Sequence, residues 1–202
     1  MKKLLTIGLL VAGFGAASQA SIEIGTGLDG SGNLLPWGSF EQNYAVSGNA
    51  GGAVVYTIGY PWVPNSPNGQ WISPADAAGR PAQPYGDTYY TRWLGAGTIT
   101  GMFSSDNPGE LLVNGVPIVA NAGFPSTDLG TYGGWTTFSA QLTQSANSVV
   151  FDVVNLGGPA GLIVDGTFTA TPVPEPSTIV AGALLLVPFA FSGLRNLRKN
   201  RA

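Results

Sequence analysis

The sequence predicts an all-β fold, a two-sheet sandwich of jelly-roll type, with a signal peptide before it and one membrane helix after it. Three observations carry the prediction. Gly and Pro number 30 and 15 among 202 residues, and both weaken helix interiors while suiting tight turns. Short runs rich in Val, Ile, Thr and aromatic residues recur between clusters of Gly, Pro, Asn and Asp, the pattern of strands joined by turns. From about Ser21 to Thr171 no stretch sustains helical periodicity.

Taken in order, the strand signals are "GGAVVYTIGY", "DTYYTRWL", "GTITGMF", "ELLVNGVPIV", "WTTFSAQL", "NSVVFDVVNLGG" and "GLIVDGTFTA". In "VVFDVVN" the side chains of Val149, Phe151 and Val153 fall on one face and those of Val150, Asp152 and Val154 on the other. "LLVNGVPIV" sets Asn114-Gly115 between two apolar runs, a hairpin signal because both turn positions accept positive φ. About eight short strands at these spacings make two packed sheets the expected solution.

Charge is partitioned along the chain. Lys2 and Lys3 stand at the start, and Arg195, Arg198, Lys199 and Arg201 at the end. Between them only Arg80 and Arg92 face ten acids, a formal charge of −8. So acidic a body repels phosphate backbones, which excludes nucleic acid as a partner. The chain has no Cys and no His, which removes disulfides, thiol nucleophiles, His-dependent triads and ordinary zinc sites.

The two ends read as addresses. Residues 1–20 hold Lys2 and Lys3, an apolar stretch from Leu4 to about Ala17, and small residues at Ser18 and Ala20. That is the layout of a secretory signal peptide, with signal peptidase expected to cut between Ala20 and Ser21. Thr178 to Leu194 is an uncharged run, expected to be a single transmembrane helix that ends in the cluster Arg195, Arg198, Lys199 and Arg201. Positive charge stays on the cytoplasmic side, so these four residues set the topology and leave the body, residues 21–171, outside the cytoplasm.

Val173, Pro174, Glu175, Pro176 and Ser177 stand immediately before that run. The order of Pro-Glu-Pro, hydrophobic helix and basic tail over residues 172–202 resembles the PEP-CTERM sorting signal of Gram-negative bacteria. The resemblance implies export, a temporary single pass in the inner membrane, and processing by an exosortase, an integral membrane transpeptidase or protease. The two prolines favour extended geometry, which suits a segment gripped by such an enzyme. The expected destination is the cell surface or the extracellular matrix.

The body carries a second resemblance. "TGLDGSGNLLPWGSFEQNY", "GQWISPADAA", "YYTRWLGAGTITGMFSSDN", "LLVNG" and "VVFDVVNLGGPAGLIVDG" resemble exported β-sandwich domains of the galactose-binding-like and carbohydrate-binding kind. By position, that resemblance nominates Glu41 and Asp165 as ligands of a structural calcium between an early strand and the last one. No other cofactor is expected. The stretch "LDGSGN", with Asp29, Ser31 and Asn33 at alternate positions, opens like a calcium loop, but Leu34 and Phe40 stand where Gly and Glu would be needed. It is therefore expected to be a turn.

Sugar recognition calls for an aromatic platform with amides and carboxylates around it. "YPWVPNSPNGQW" offers Tyr60, Trp62, Asn65, Asn68, Gln70 and Trp71 in a segment too rich in Pro and Gly to be a strand. These residues fit either a glycan platform or a cover over a sheet edge. Trp93 and Trp135, in strand-like contexts, are expected in the core. The function expected is a non-catalytic binding or structural module for exopolysaccharide. Two alternatives stand beside it: a polysaccharide hydrolase using paired acids such as Asp76, Asp87, Asp106 and Glu110, and a purely structural matrix protein on a simple membrane anchor.

Overall fold

The structure is a computed structural model that describes residues 21–48, 52–56, 62–76, 78–82, 85–121, 134–158 and 160–172. The signal-peptide segment through Ala20, Tyr60, and the sorting segment from Val173 to the basic tail lie outside the described residues. All strands belong to one unit, Gln19–Thr171. They are β1 (Ser21–Glu23), β2 (Ala45–Gly48), β3 (Gly52–Val55), β4 (Ile72–Ala75), β5 (Gly86–Leu94), β6 (Gly97–Ser105), β7 (Gly109–Val113), β8 (Val116–Ala120), β9 (Thr136–Leu142), β10 (Asn147–Asn155) and β11 (Leu162–Ala170).

Two antiparallel sheets result. The first has the order β3-β4-β11-β6-β9, with β1 also on β11, and the second has β2-β5-β10-β7-β8. One edge of β11 is shared: β1 pairs with Thr167 to Thr169, and β4 meets it at Leu162. Between these points Ile24 and Thr26 donate their N–H groups to Gly166 and Val164, at 2.8 and 3.1 Å. The expected two-sheet sandwich is therefore present.

Strand alternation builds the core. Val149, Phe151 and Val153 of β10 are buried, as their spacing predicts, and meet Ile99 and Phe103 of β6 and Leu162, Val164 and Phe168 of β11. Phe151 is the hub, with ring centroids 5.3 Å from Phe103, 5.8 Å from Phe138 and 6.1 Å from Tyr44. Gly101 and Gly166 face each other across β6 and β11, and a methyl on Gly101 would lie 2.9 Å from the Phe138 ring. Absence of side chains there lets that ring close over the strand pair.

From β5 onward the chain mostly crosses between sheets at each turn, apart from the β7–β8 hairpin. A crossing breaks the ladder and leaves backbone groups to be satisfied by side chains. Buried amides and one acid do this. Asn147 donates to the carbonyls of Gln144 and Gly95, at 2.7 and 3.0 Å. Asn121 accepts from the N–H of Gly109 at 2.8 Å, and Asp106 from that of Gly161 at 2.8 Å. The hairpin turns on Asn114 and Gly115, with φ of 52° and 77°, as the Asn-Gly pair predicts.

Three strands were not legible: β1, β2 and β4. Each has three or four residues, and β4 reads "ISPA". Their pairing partners, rather than their own propensities, make them strands.

Candidate functional site

The loop expected to carry a glycan platform is folded onto the outside of the first sheet. Trp71 is 1% exposed; it packs with Val63 and Ile163, and Trp62 and Trp135 lie partly buried against them. Its indole N–H donates to the carbonyl of Val63 at 2.8 Å. Gln70 donates to the carbonyls of Gly27 and Leu35, both at 2.9 Å, and Asn65 accepts from the N–H of Trp71 at 3.1 Å. The expectation of a ligand role for Trp71 is thus corrected. Ile163 faces outward on β11, and burying it against the indole makes Trp71 part of the fold. Asn68 remains exposed at the turn tip.

The assignment of Trp93 to the core is also overturned: it is 68% exposed. On β5 the residues Thr88, Tyr90 and Leu94 turn inward, so Asp87, Tyr89, Thr91 and Trp93 share the outer face of the second sheet. Tyr89 and Trp93 are four residues apart, roughly 13 Å along the strand. The register with β10 sets Asp152 opposite Tyr89 and Ser148 opposite Trp93, and β7 sets Glu110 opposite Asp152. Direct cross-strand neighbours have Cβ atoms about 5 Å apart. Two aromatics and three carboxylates thereby share one rigid sheet face, with Val150 and Leu112 beside Thr91.

Burial and the neighbouring acids both act on Asp152. Burial, followed by the charges of Asp87 and Glu110, pushes the Asp152 carboxyl up to about 7. Its Oδ1 is buried without a hydrogen-bond partner. Glu110 is raised by burial, and the Tyr89 phenol is raised first by the charge of Asp152 and then by burial and Asp87. The sign of the pH effect follows. Between about 4, where an unfolded Asp titrates, and about 7, the folded protein keeps a proton that the unfolded chain has lost. Stability therefore falls as pH rises through this window and levels off above it. Asp152→Asn is expected to flatten that decline in thermal midpoint measured against pH, and an unchanged slope would refute the shift. Asp106, pushed to about 7 by burial, supplies a residual slope of the same sign.

Asp76 and Asp29 are committed to turns. Asp76 pairs with Arg80 at 2.7 Å and accepts from the N–H groups of Ala78 and Arg80. Asp29 accepts from the N–H groups of Ser31 and Asn33, at 2.8 and 2.9 Å, closing the turn that the sequence predicts.

Glu41 and Asp165 are not assembled as a calcium pair. On β11 the even-numbered residues Leu162, Val164 and Phe168 face the core, so Asp165 faces outward. Glu41 accepts from the N–H groups of Gly27 at 2.6 Å and Asn43 at 2.7 Å, one with each carboxylate oxygen. Burial raises this carboxyl, opposed by those N–H groups and by the Arg92 charge. Glu41 therefore clamps a loop. Among the described residues no group of three acids is placed to hold a metal ion.

A second aromatic pair joins exposed Trp37 to half-buried Tyr56. Trp37 and Tyr56 have ring centroids 6.4 Å apart, but both stand on connecting segments, whereas strand positions hold side chains more precisely. The sequence missed Trp93 because both faces of "DTYYTRWL" carry an aromatic residue; its only legible signal was shared parity with Asp87.

The fold and this face define an all-β, two-sheet sandwich with an aromatic and acidic sheet surface. No family model matches the chain, and no curated protein matches it. Among solved structures, it is similar to the PA14 domain of the antifreeze protein MpAFP, with 18% identity, 44% of this chain and 45% of that one covered, and a TM-score of 0.30. It is also similar to a carbohydrate-binding module CBM36 in complex with calcium and xylotriose, at 14% identity, 65% and 98% coverage and a TM-score of 0.34. A family 35 carbohydrate-binding module from Clostridium thermocellum is matched at 16% identity, 65% and 98% coverage and a TM-score of 0.37. The chain spans less than half of the first of these and nearly all of the other two. At such scores no ligand or activity carries across.

Proposed function

We propose that the chain is an exported, non-catalytic protein whose sandwich binds polysaccharide on the outer face of the second sheet. The observation that carries this reading is Trp93, a large aromatic left 68% exposed on a regular strand, with Tyr89 further along the same face. An indole face stacks on the apolar C–H surface of one pyranose, and Asp87, Asp152 and Glu110, at the Tyr89 end of the face, accept hydrogen bonds from the hydroxyls of another sugar unit further along the polysaccharide. The test is affinity electrophoresis of the chain through gels carrying neutral and acidic polysaccharides, with retention expected for at least one of them and its absence for all of them counting against the reading.

One observation favours a hydrolase as the second reading. Asp152 and Glu110 are direct cross-strand neighbours, and Asp152 is held up to about 7, the condition of a general acid beside an ionised partner. Reducing-end assays on retained polysaccharides separate the two. Binding without new reducing ends supports the module, while turnover lost in Asp152→Asn supports the enzyme.

Sorting is the other half of the proposal. Cleavage after Ala20 would release the signal peptide, Thr178 to Leu194 would hold the chain in the inner membrane, and an exosortase-like enzyme would act at the stretch from Val173 to Ser177. Support comes from the Pro-Glu-Pro motif, the apolar run and the basic cluster in that order. Intact-mass measurement in an exosortase-bearing host is expected to show loss of Arg195, Arg198, Lys199 and Arg201. Their retention would leave a simple anchor instead.

A further inference from the structure

A cavity of about 280 Å³ lies where β1, the loop at Gly30 to Gly32 and the end of β5 meet. It has room for about nine water molecules at 30 Å³ each, comparable to one pyranose residue. Its polar walls come from Glu23, Asp29, Ser31, Asn43 and Arg92, and Ile22 adds an apolar patch. These walls are held by contacts within the fold. Arg92 lies 5.7 Å from the Tyr44 ring centroid and donates to the carbonyl of Glu23 at 3.2 Å. Asn43 donates to the carbonyl of Leu28 at 2.6 Å, and Asp29 is fixed by its turn.

Arg92 has no carboxylate within salt-bridge distance among the described residues; the ion pair found there is that of Arg80 and Asp76. Arg92 Nη1 and Glu23 Oε2 are each buried without a hydrogen-bond partner and sealed from solvent, so a guest in the cavity meets these two side chains through their other polar atoms. Two carboxylates against one guanidinium leave the walls with a formal charge of −1, which disfavours an anionic guest. Donors and acceptors stand together, and a hydroxyl group both donates and accepts.

We propose that this cavity is a second, separate site that takes a single neutral sugar residue, such as the terminal unit of a glycan chain. It rests on the glycan-binding reading only for the natural source of that sugar. Arg92 donates to one ring hydroxyl, Glu23 accepts from a neighbouring one, and Ile22 covers a C–H edge. Gly30 lines the cavity and a Cβ there would meet nothing within 4 Å, so a large side chain is expected to fit without straining the backbone and to narrow the opening.

The test uses the full-length chain in a sugar-free detergent. Methyl glucoside and methyl galactoside are titrated by calorimetry, with glucuronate as the anionic comparator. Saturable binding of a neutral glycoside is expected, with glucuronate weaker by about 10-fold. Gly30→Phe should weaken the neutral sugar by about 10-fold or more at an unchanged thermal midpoint. Glu23→Gln should weaken it several-fold, and Trp93→Ala should leave it alone. No saturable binding up to about 100 mM, or equal binding by Gly30→Phe, overturns the proposal. If neutral glycosides fail while polymer retention still depends on Trp93, the cavity proposal falls and the sheet-face reading stands. If Gly30→Phe abolishes sugar binding while Trp93→Ala leaves polymer retention intact, the cavity is supported and the sheet-face platform falls.

Discussion

Replacing Trp93 by alanine is expected to weaken polysaccharide retention by about tenfold or more, about 1.4 kcal/mol, while the thermal midpoint stays in place. Both halves follow from one fact. A side chain 68% exposed contributes little to packing, and surface substitutions usually change stability by less than about 0.5 kcal/mol. The same exposure leaves its ring as a large apolar surface on the second sheet's outer face. Losing a stacked aromatic anchor costs more than about 1 kcal/mol in the binding surfaces where such anchors dominate. Tyr89→Ala should act in the same direction, and Trp93→Phe should recover part of the loss. Unchanged retention in Trp93→Ala would move the ligand away from this face.

Trp71→Ala is expected to do the opposite: destabilise the protein by about 3 to 5 kcal/mol, the cost of truncating a large buried aromatic, without a selective effect on retention. Against a usual folding stability of about 5 to 15 kcal/mol, that is enough to show plainly in urea or thermal unfolding. Two losses combine. The indole leaves a cavity against Val63 and Ile163, and the Val63 carbonyl loses its 2.8 Å donor. Trp71→Phe keeps much of the volume and removes the donor, so it should cost less. A Trp71→Ala protein that melts normally but no longer binds would restore the loop from Trp62 to Trp71 as the platform.

The contrast between these two tryptophans shows where sequence reading stops. Both lie near strand signals, and composition treats them alike. "GQW" follows a Pro-rich loop and reads as surface, yet Ile163 needed cover on the outside of the first sheet, and Trp71 supplies it. "TRWL" reads as core because it sits in a β-rich run, yet the parity that buries Tyr90 and Leu94 turns Trp93 outward. A strand shifted by one residue exchanges its faces, so the decision belonged to the register of β5 with β10. Glu41 gives the same lesson. Its place in the sequence suggested a metal ligand, while its carboxylate accepts from Gly27 and Asn43.

By itself the sequence determined the all-β class, the hairpin at Asn114 and Gly115, the alternation that buries Val149, Phe151 and Val153, and the exclusion of His and Cys chemistry. These depend on local period, turn residues and composition, which a chain carries without its fold. Only the tertiary structure decided that β1, β2 and β4 are strands, that Asp87 and Glu110 gather near Asp152, and that Arg92 and Glu23 line one cavity. Those facts depend on pairings between residues tens of positions apart, whose partners are chosen by which faces the whole sandwich can bury.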